Sequence, residues 1–234
     1  MFKDRKALIA ALDEFYGSVA TRIEQFQEES RAADLYEATG FTVFDYIDPN
    51  ENCLSDVIYD LLDPSGKHGQ GRVFQDLLLE AIGVQHESVR LPFRVKREDC
   101  TLYCASPERR IDITLEVAGF GIGIENKPFH YEAEDQLKDY SLHLRQKYGQ
   151  RFMLVYLSGD GSRPDSIDQA DLGLLRKNNQ FKNLAYPTGL CHWLERCVQE
   201  CKAEKVRWFL EEFAEYVKTF ELAEDYEEPI HETK

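Results

Sequence analysis

Between residues 110 and 127, apolar and polar side chains alternate one by one. Ile111, Ile113, Leu115 and Val117 interleave with Arg110, Asp112, Thr114 and Glu116. Beyond Ala118-Gly119, Ile122 and Ile124 interleave with Gly121, Gly123, Glu125 and Lys127. A period of two predicts half-buried strands with their apolar faces inward. Folded as a hairpin about Ala118-Gly119, the chain sets Asp112 against Glu125, Arg110 against Lys127 and Thr114 against Gly123. Directly opposed side chains lie about 4.5–5.5 Å apart at Cβ, and a slip of one residue would separate them. Gly121 and Gly123 leave space on the polar face for a ligand or a second backbone.

Other stretches follow a helical period. Leu8, Ile9, Leu12, Phe15, Val19, Ile23 and Phe26 predict one long helix over residues 4–38, stopped by Gly40. Its aromatic stripe is expected to be core or to meet a partner, a second copy of the helix included. Phe41 to Ile47 is a short apolar lead-in closed by Asp48-Pro49-Asn50. A helix over 51–62 then buries Cys53, Leu54, Val57, Ile58, Leu61 and Leu62, with Asn50 as N-cap. Glycine and proline make 63–71 a loop without Walker spacing, and a helix over 72–82 follows. Residues 88–97 read as a strand and 99–108 as a polar connection. A helix over 132–148 carries Gln136 and Tyr140 on one face. The continuous apolar run 151–158 is a buried strand, and a crossover through the preceding helix implies parallel pairing. A loop over 159–165, a short strand at 183–186, a helical stretch over 188–220 and an acidic tail complete the chain. The expected organisation is an N-terminal helical extension (1–40), a core (41–221) and the tail (222–234).

Composition narrows the classes. With 234 residues, 43% of them hydrophobic, the chain can bury a substantial core, so wholesale disorder is excluded. No apolar run reaches membrane-spanning length and no signal-type apolar block opens the chain, which makes the cytoplasm the default compartment. The net charge of −15 argues against a nucleic-acid binder that uses its whole surface. The excess acid lies in the flanks, because residues 86–151 balance 11 Lys+Arg against 11 Asp+Glu. Arg94, Lys96, Arg97, Arg109, Arg110, Arg145, Lys147 and Arg151 near the hairpin could line a local groove. Cys100 and Cys104, like Cys197 and Cys201, have a spacing that a helix could use for zinc, but buried free thiols account for them without a CxxC knuckle.

The chemistry converges on the hairpin. Two carboxylates side by side repel unless a cation lies between them, and a hard divalent ion with oxygen ligands answers that repulsion. Solvated outward residues on an ordinary hairpin are the alternative. Glu51, in the first turn of its helix, suits the helix dipole as a capping acid.

Asp112, then Glu125-x-Lys127 on the next strand, then Gln136-x-x-x-Tyr140 on a helix resembles the PD-(D/E)XK nuclease superfamily. The last element is similar to its RecB-like and Cas4-like branches. Glu51-Asn52-x-Leu54-Ser55-Asp56, Leu62-Asp63-Pro64-x-Gly66-x-His68-Gly69-Gln70-Gly71 and Ile122-Gly123-Ile124-Glu125-Asn126-Lys127-Pro128 resemble a stand-alone bacterial family within it, from about Phe41 to Trp193. Ile111 stands where the pattern has proline. The resemblance implies an α/β, restriction-endonuclease-like fold. A mixed central sheet would be flanked by helices, with a long helix at each end of the chain. It implies hydrolysis of DNA phosphodiester bonds with Mg²⁺ or Mn²⁺, in defence or repair. Asp112, Glu125, Glu51 and the Asn126 carbonyl would hold the metal. Lys127 would stabilise charge or orient and deprotonate water, and Gln136 and Tyr140 would steady the site or the nucleic-acid backbone. A non-catalytic interaction module of the same fold and a ribonuclease using the same site are the competing readings.

Overall fold

The structure, a computed structural model, describes residues 2–38, 41–84, 93–101 and 109–224. The chain divides into two units, Met1–Val43 and Phe44–Lys234. The first is built on one helix, α1 (Phe2–Glu37). The stripe expected to be core is exposed there, at Ile9, Leu12, Phe15, Ile23 and Phe26 alike.

The second unit runs α2 (Phe44–Ile47), α3 (Glu51–Leu62), α4 (Val73–Ala81), β1 (Phe93–Cys100), β2 (Arg110–Val117), β3 (Phe120–Lys127), α5 (Gln136–Tyr148) and β4 (Phe152–Ser158). It continues with α6 (Gln169–Lys177), β5 (Phe181–Ala185), a π-helical turn (Tyr186–Leu190), α7 (Cys191–Glu200) and α8 (Glu204–Lys218). Among the described residues, five strands form one sheet in the order β1-β2-β3-β4-β5. The first three are antiparallel neighbours; β3, β4 and β5 run parallel. The sheet is mixed, as expected, and α5 makes the crossover between β3 and β4.

The hairpin has the register read from its sequence, from Val117↔Phe120 to Ile113↔Ile124. Ala118 (φ 51°) and Gly119 (φ 73°) both take left-handed backbone, which fits the right-handed twist of the two strands. The strands, however, are not half-buried. Every residue of β3 after Phe120 is buried. The space at the glycines belongs to α5 rather than to a ligand. A Cβ on Gly121 would strike the Tyr148 ring, and one on Gly123 would lie 2.9 Å from Leu144. The same Cβ would touch Ile111, so Ile111 shares a face with Gly123 and the strict alternation of β2 breaks at Asp112.

Consecutive residues of β3 therefore serve two cores. On the α5 side Ile111, Leu137, Tyr140, Leu144, Leu154 and Tyr156 pack together. On the other side α3 packs over β1, β2 and β3. Asn50 caps α3 by accepting the Cys53 N–H at 2.9 Å, which fixes where the helix starts.

Several elements differ from the sequence pattern, among them the last strand, expected at 183–186 and found at Phe181–Ala185. The strand expected over 88–97 continues to Cys100, and its first residues, like 102–108 and the tail beyond 224, lie outside the described residues. Helix α5 starts at Gln136 rather than at 132, because Asp135 is left-handed (φ 55°) and the Gln136 side chain accepts the Ala133 N–H. Helix α6, capped by Asp168 on the Asp171 N–H, falls where no element was expected; its nine residues bury only Leu172 and Leu175. The long C-terminal helix is instead the π-turn, α7 and α8. The Cys201 carbonyl between the last two accepts from Arg207.

Candidate active site

Glu51 opens α3, Asp112 lies on β2, Glu125, Asn126 and Lys127 end β3, and Gln136 and Tyr140 lie on the first turns of α5. The fold brings them together at the end of β3. Lys127 Nζ lies 2.7 Å from Glu51 Oε1 and 2.9 Å from Glu125 Oε1. Gln136 donates to that same Glu125 oxygen at 2.6 Å and to the Tyr140 hydroxyl at 2.9 Å. Tyr140 in turn donates to the Arg110 carbonyl at 2.6 Å. It is buried, so it braces Gln136 from within the core and does not reach solvent.

Asp112 does not stand in the ladder opposite Glu125, since the paired register ends at Ile113↔Ile124. Its Oδ2 accepts the Asn126 N–H at 2.8 Å, which pins the carboxylate to the end of β3. The Asn126 side chain is spent elsewhere: it donates to Ser55 at 2.9 Å and accepts from Tyr186 at 2.7 Å. Only its backbone carbonyl could serve a ligand.

Charge is unevenly matched here. Burial pushes the Glu125 carboxyl well above the usual range, the Asp112 charge adds to that push and Lys127 opposes it. Burial likewise raises Asp112, against the Asn126 hydrogen bond and the charges of Lys127 and Arg97. Burial works to lower Lys127, but the Glu125 charge and its bonds to Glu51 and Glu125 more than reverse this, and it stays protonated. Glu125 Oε2 is buried with no hydrogen-bond partner. An orphaned carboxylate oxygen among acids is where a cation fits, and an all-oxygen donor set suits a hard divalent ion. Among the described residues no three His, Cys, Asp or Glu side chains are grouped closely enough to hold a metal unaided.

By sequence Arg97 is only one of the groove cations. It is a strut. Its Nη1 donates to the Asp112 carbonyl at 3.0 Å and lies 3.5 Å from the carboxylate, while Nε pairs with Asp56 of α3 at 2.8 Å. The expected basic groove is largely neutralised too. Arg109 pairs with Asp139, Arg110 with Glu98, and Lys96 and Lys147 both with Asp99. A cleft of about 460 Å³, lined in part by Arg94, Lys96, Asp99, Glu116 and Lys147, opens over that last group.

A mixed sheet with helices on both faces and an acid–lysine cluster at the end of a central strand is a restriction-endonuclease-like α/β architecture. Residues 41–215 match the PD-(D/E)XK nuclease superfamily, and the chain belongs to it. Members are in general phosphodiester-cleaving nucleases. No curated protein and no solved structure matches the chain. Among the described residues no helix is long and apolar enough to cross a membrane.

Proposed function

We propose that this chain is a divalent-metal-dependent nuclease that hydrolyses DNA phosphodiester bonds at the Asp112–Glu125–Lys127 cluster. The observation that carries the reading is Glu125: wholly buried, pushed towards protonation, and left with one oxygen unpartnered beside two further acids. A protein that needed only the fold would gain by replacing it with an apolar residue.

Asp112, Glu125 and the Asn126 carbonyl would hold the ion, and Glu51, bonded to Lys127 at 2.7 Å, would join them only by turning away from that amine. Bound there, a divalent cation polarises a phosphate and lowers the pKa of a coordinated water. The chain's own groups do the rest. Lys127, held between its two acids, offers a cation for the charge that builds on the phosphate oxygens. Gln136 fixes the rotation of the Glu125 carboxylate, and Tyr140 fixes Gln136. Arg97 holds the Asp112 backbone, so the two acids keep their relative position.

Incubation of supercoiled plasmid with Mn²⁺ or Mg²⁺ tests this. Wild type should nick or linearise the plasmid, and Asp112→Ala and Lys127→Ala should each lose at least about a hundredfold in rate while keeping the wild-type circular dichroism. Absence of cleavage by wild type with either ion, or cleavage undiminished in both variants, rejects the proposal. Cutting of a labelled RNA instead would keep the site and replace the substrate.

A further inference from the structure

The apolar residues of α1 follow a heptad. Ile9, Tyr16 and Ile23 are spaced seven apart, and Leu12, Val19 and Phe26 form a second set offset by three. On one continuous helix these are the a and d positions of a single seam. The seam is open: Ile9 is 49% exposed, Leu12 43%, Tyr16 65%, Ile23 51% and Phe26 72%. Phe15, at the neighbouring g position, is 60% exposed and widens it. Exposed apolar surface that is contiguous and regularly spaced marks an interface rather than scattered surface residues.

The charge pattern selects the occupant and its direction. By sequence, residues 2–22 hold Lys3, Arg5, Lys6 and Arg22 against Asp4, Asp13 and Glu14. Residues 23–37 hold Arg31 alone against Glu24, Glu28, Glu29, Asp34 and Glu37. A parallel pair of such helices would lay one acidic half along the other, with Glu29 at g facing Asp34 at e of its mate. An antiparallel pair lays each acidic half along the weakly basic half of its mate. With residues aligned so that their numbers sum to 35, Ile9 meets Phe26, Leu12 meets Ile23 and Tyr16 meets Val19, every a against a d. We propose that α1 is a dimerisation element that pairs antiparallel with α1 of a second copy of this chain through the Ile9–Phe26 seam. The two chains then leave the paired helices at opposite ends. This inference does not depend on the catalytic reading.

Sedimentation equilibrium of the full chain over roughly a hundredfold range of concentration should give a dimer. Leu12→Asp and Ile23→Asp should each weaken it by at least about tenfold, with the melting of the second unit unchanged. Ser18→Asp, on the outer surface of the helix, should leave it intact. Direction is read by photocrosslinking with p-benzoylphenylalanine in place of Phe26. The expected product joins tryptic peptide 23–31 to peptide 7–22 of the other copy. A chain that stays monomeric, a dimer indifferent to both aspartates, a 23–31 to 23–31 crosslink, or a crosslink into residues 44–234 would each overturn the proposal.

Discussion

Glu125 and Asp99 are both buried carboxylates of one sheet, and their neighbours treat them in opposite ways. Burial works to raise Asp99, but the Lys96 hydrogen bond, the charges of Lys147 and Lys96 and the Thr114 hydroxyl bring it below the usual carboxylate range. Glu125 has one lysine and shares it with Glu51; burial and then the Asp112 charge drive it the other way. A cleft opens over Asp99, yet Asp99 itself is answered from within the chain by Lys96 and Lys147. Concavity by itself points to the other end of the hairpin. The unanswered charge points to Glu125.

Isosteric neutralisation is the sharpest way to break this comparison. Glu125→Gln should lower plasmid cleavage by about a hundred- to a thousandfold and raise stability in chelator by about 1 kcal/mol, because a buried, poorly matched charge is removed. Asp99→Asn should do the reverse: cleavage within about threefold of wild type and a loss of about 1–2 kcal/mol in urea unfolding. If both variants lose activity alike, the two clusters are not distinct in kind. Next in size, Arg97→Ala should cost about ten- to a hundredfold in rate, the range for groups that orient a ligand without being one. A cleavage rate equal to wild type would remove Arg97 from the site.

The pH dependence of the stability differences separates the two acids further. Asp99 is depressed in the folded state. The stability it contributes is present above its unfolded pKa of about 3.9 and is lost as pH falls through its folded value. The deficit of Asp99→Asn should therefore shrink on acidification. Glu125 is raised in the folded state. Its contribution is present below its unfolded pKa of about 4.3 and is lost as pH rises through the folded value. The advantage of Glu125→Gln in chelator should therefore grow as pH rises. Urea midpoints measured from acid to neutral pH check both signs. The smallest effect touches neither cluster: Ala118→Asn, in a left-handed turn position that suits asparagine, should add about 0.5–1 kcal/mol and leave cleavage alone.

The sequence carried the hairpin because a two-residue turn and strict alternation leave one sensible register. It also carried α3, whose start Asn50 marks, and β4, whose apolar run has no helical reading of that length. It could not reveal what covers the second face of β3. Gly121 and Gly123 look like vacancies in a list of residues, and only α5, laid across them, turns them into contact surface. Arg97 was illegible for the same reason: its partners lie 15, 41 and 45 residues away, and it stands among other basic side chains. Helix α6 gave too little apolar signal, with two buried residues in nine. Asp112, Glu125 and Lys127 could be read as a constellation. That Lys127 bridges two acids while one oxygen of Glu125 stays bare needed coordinates.

Asn126 stands between the two residues with the clearest chemistry, and its own side chain faces away from them, clasped by Ser55 and Tyr186. That clasp rivets the end of β3 to α3 and to the π-helical turn. A scan that scored only lost turnover would rank position 126 beside its neighbours. The injury there would be mechanical, a strand end working loose, and it would show in protease sensitivity even with no substrate present.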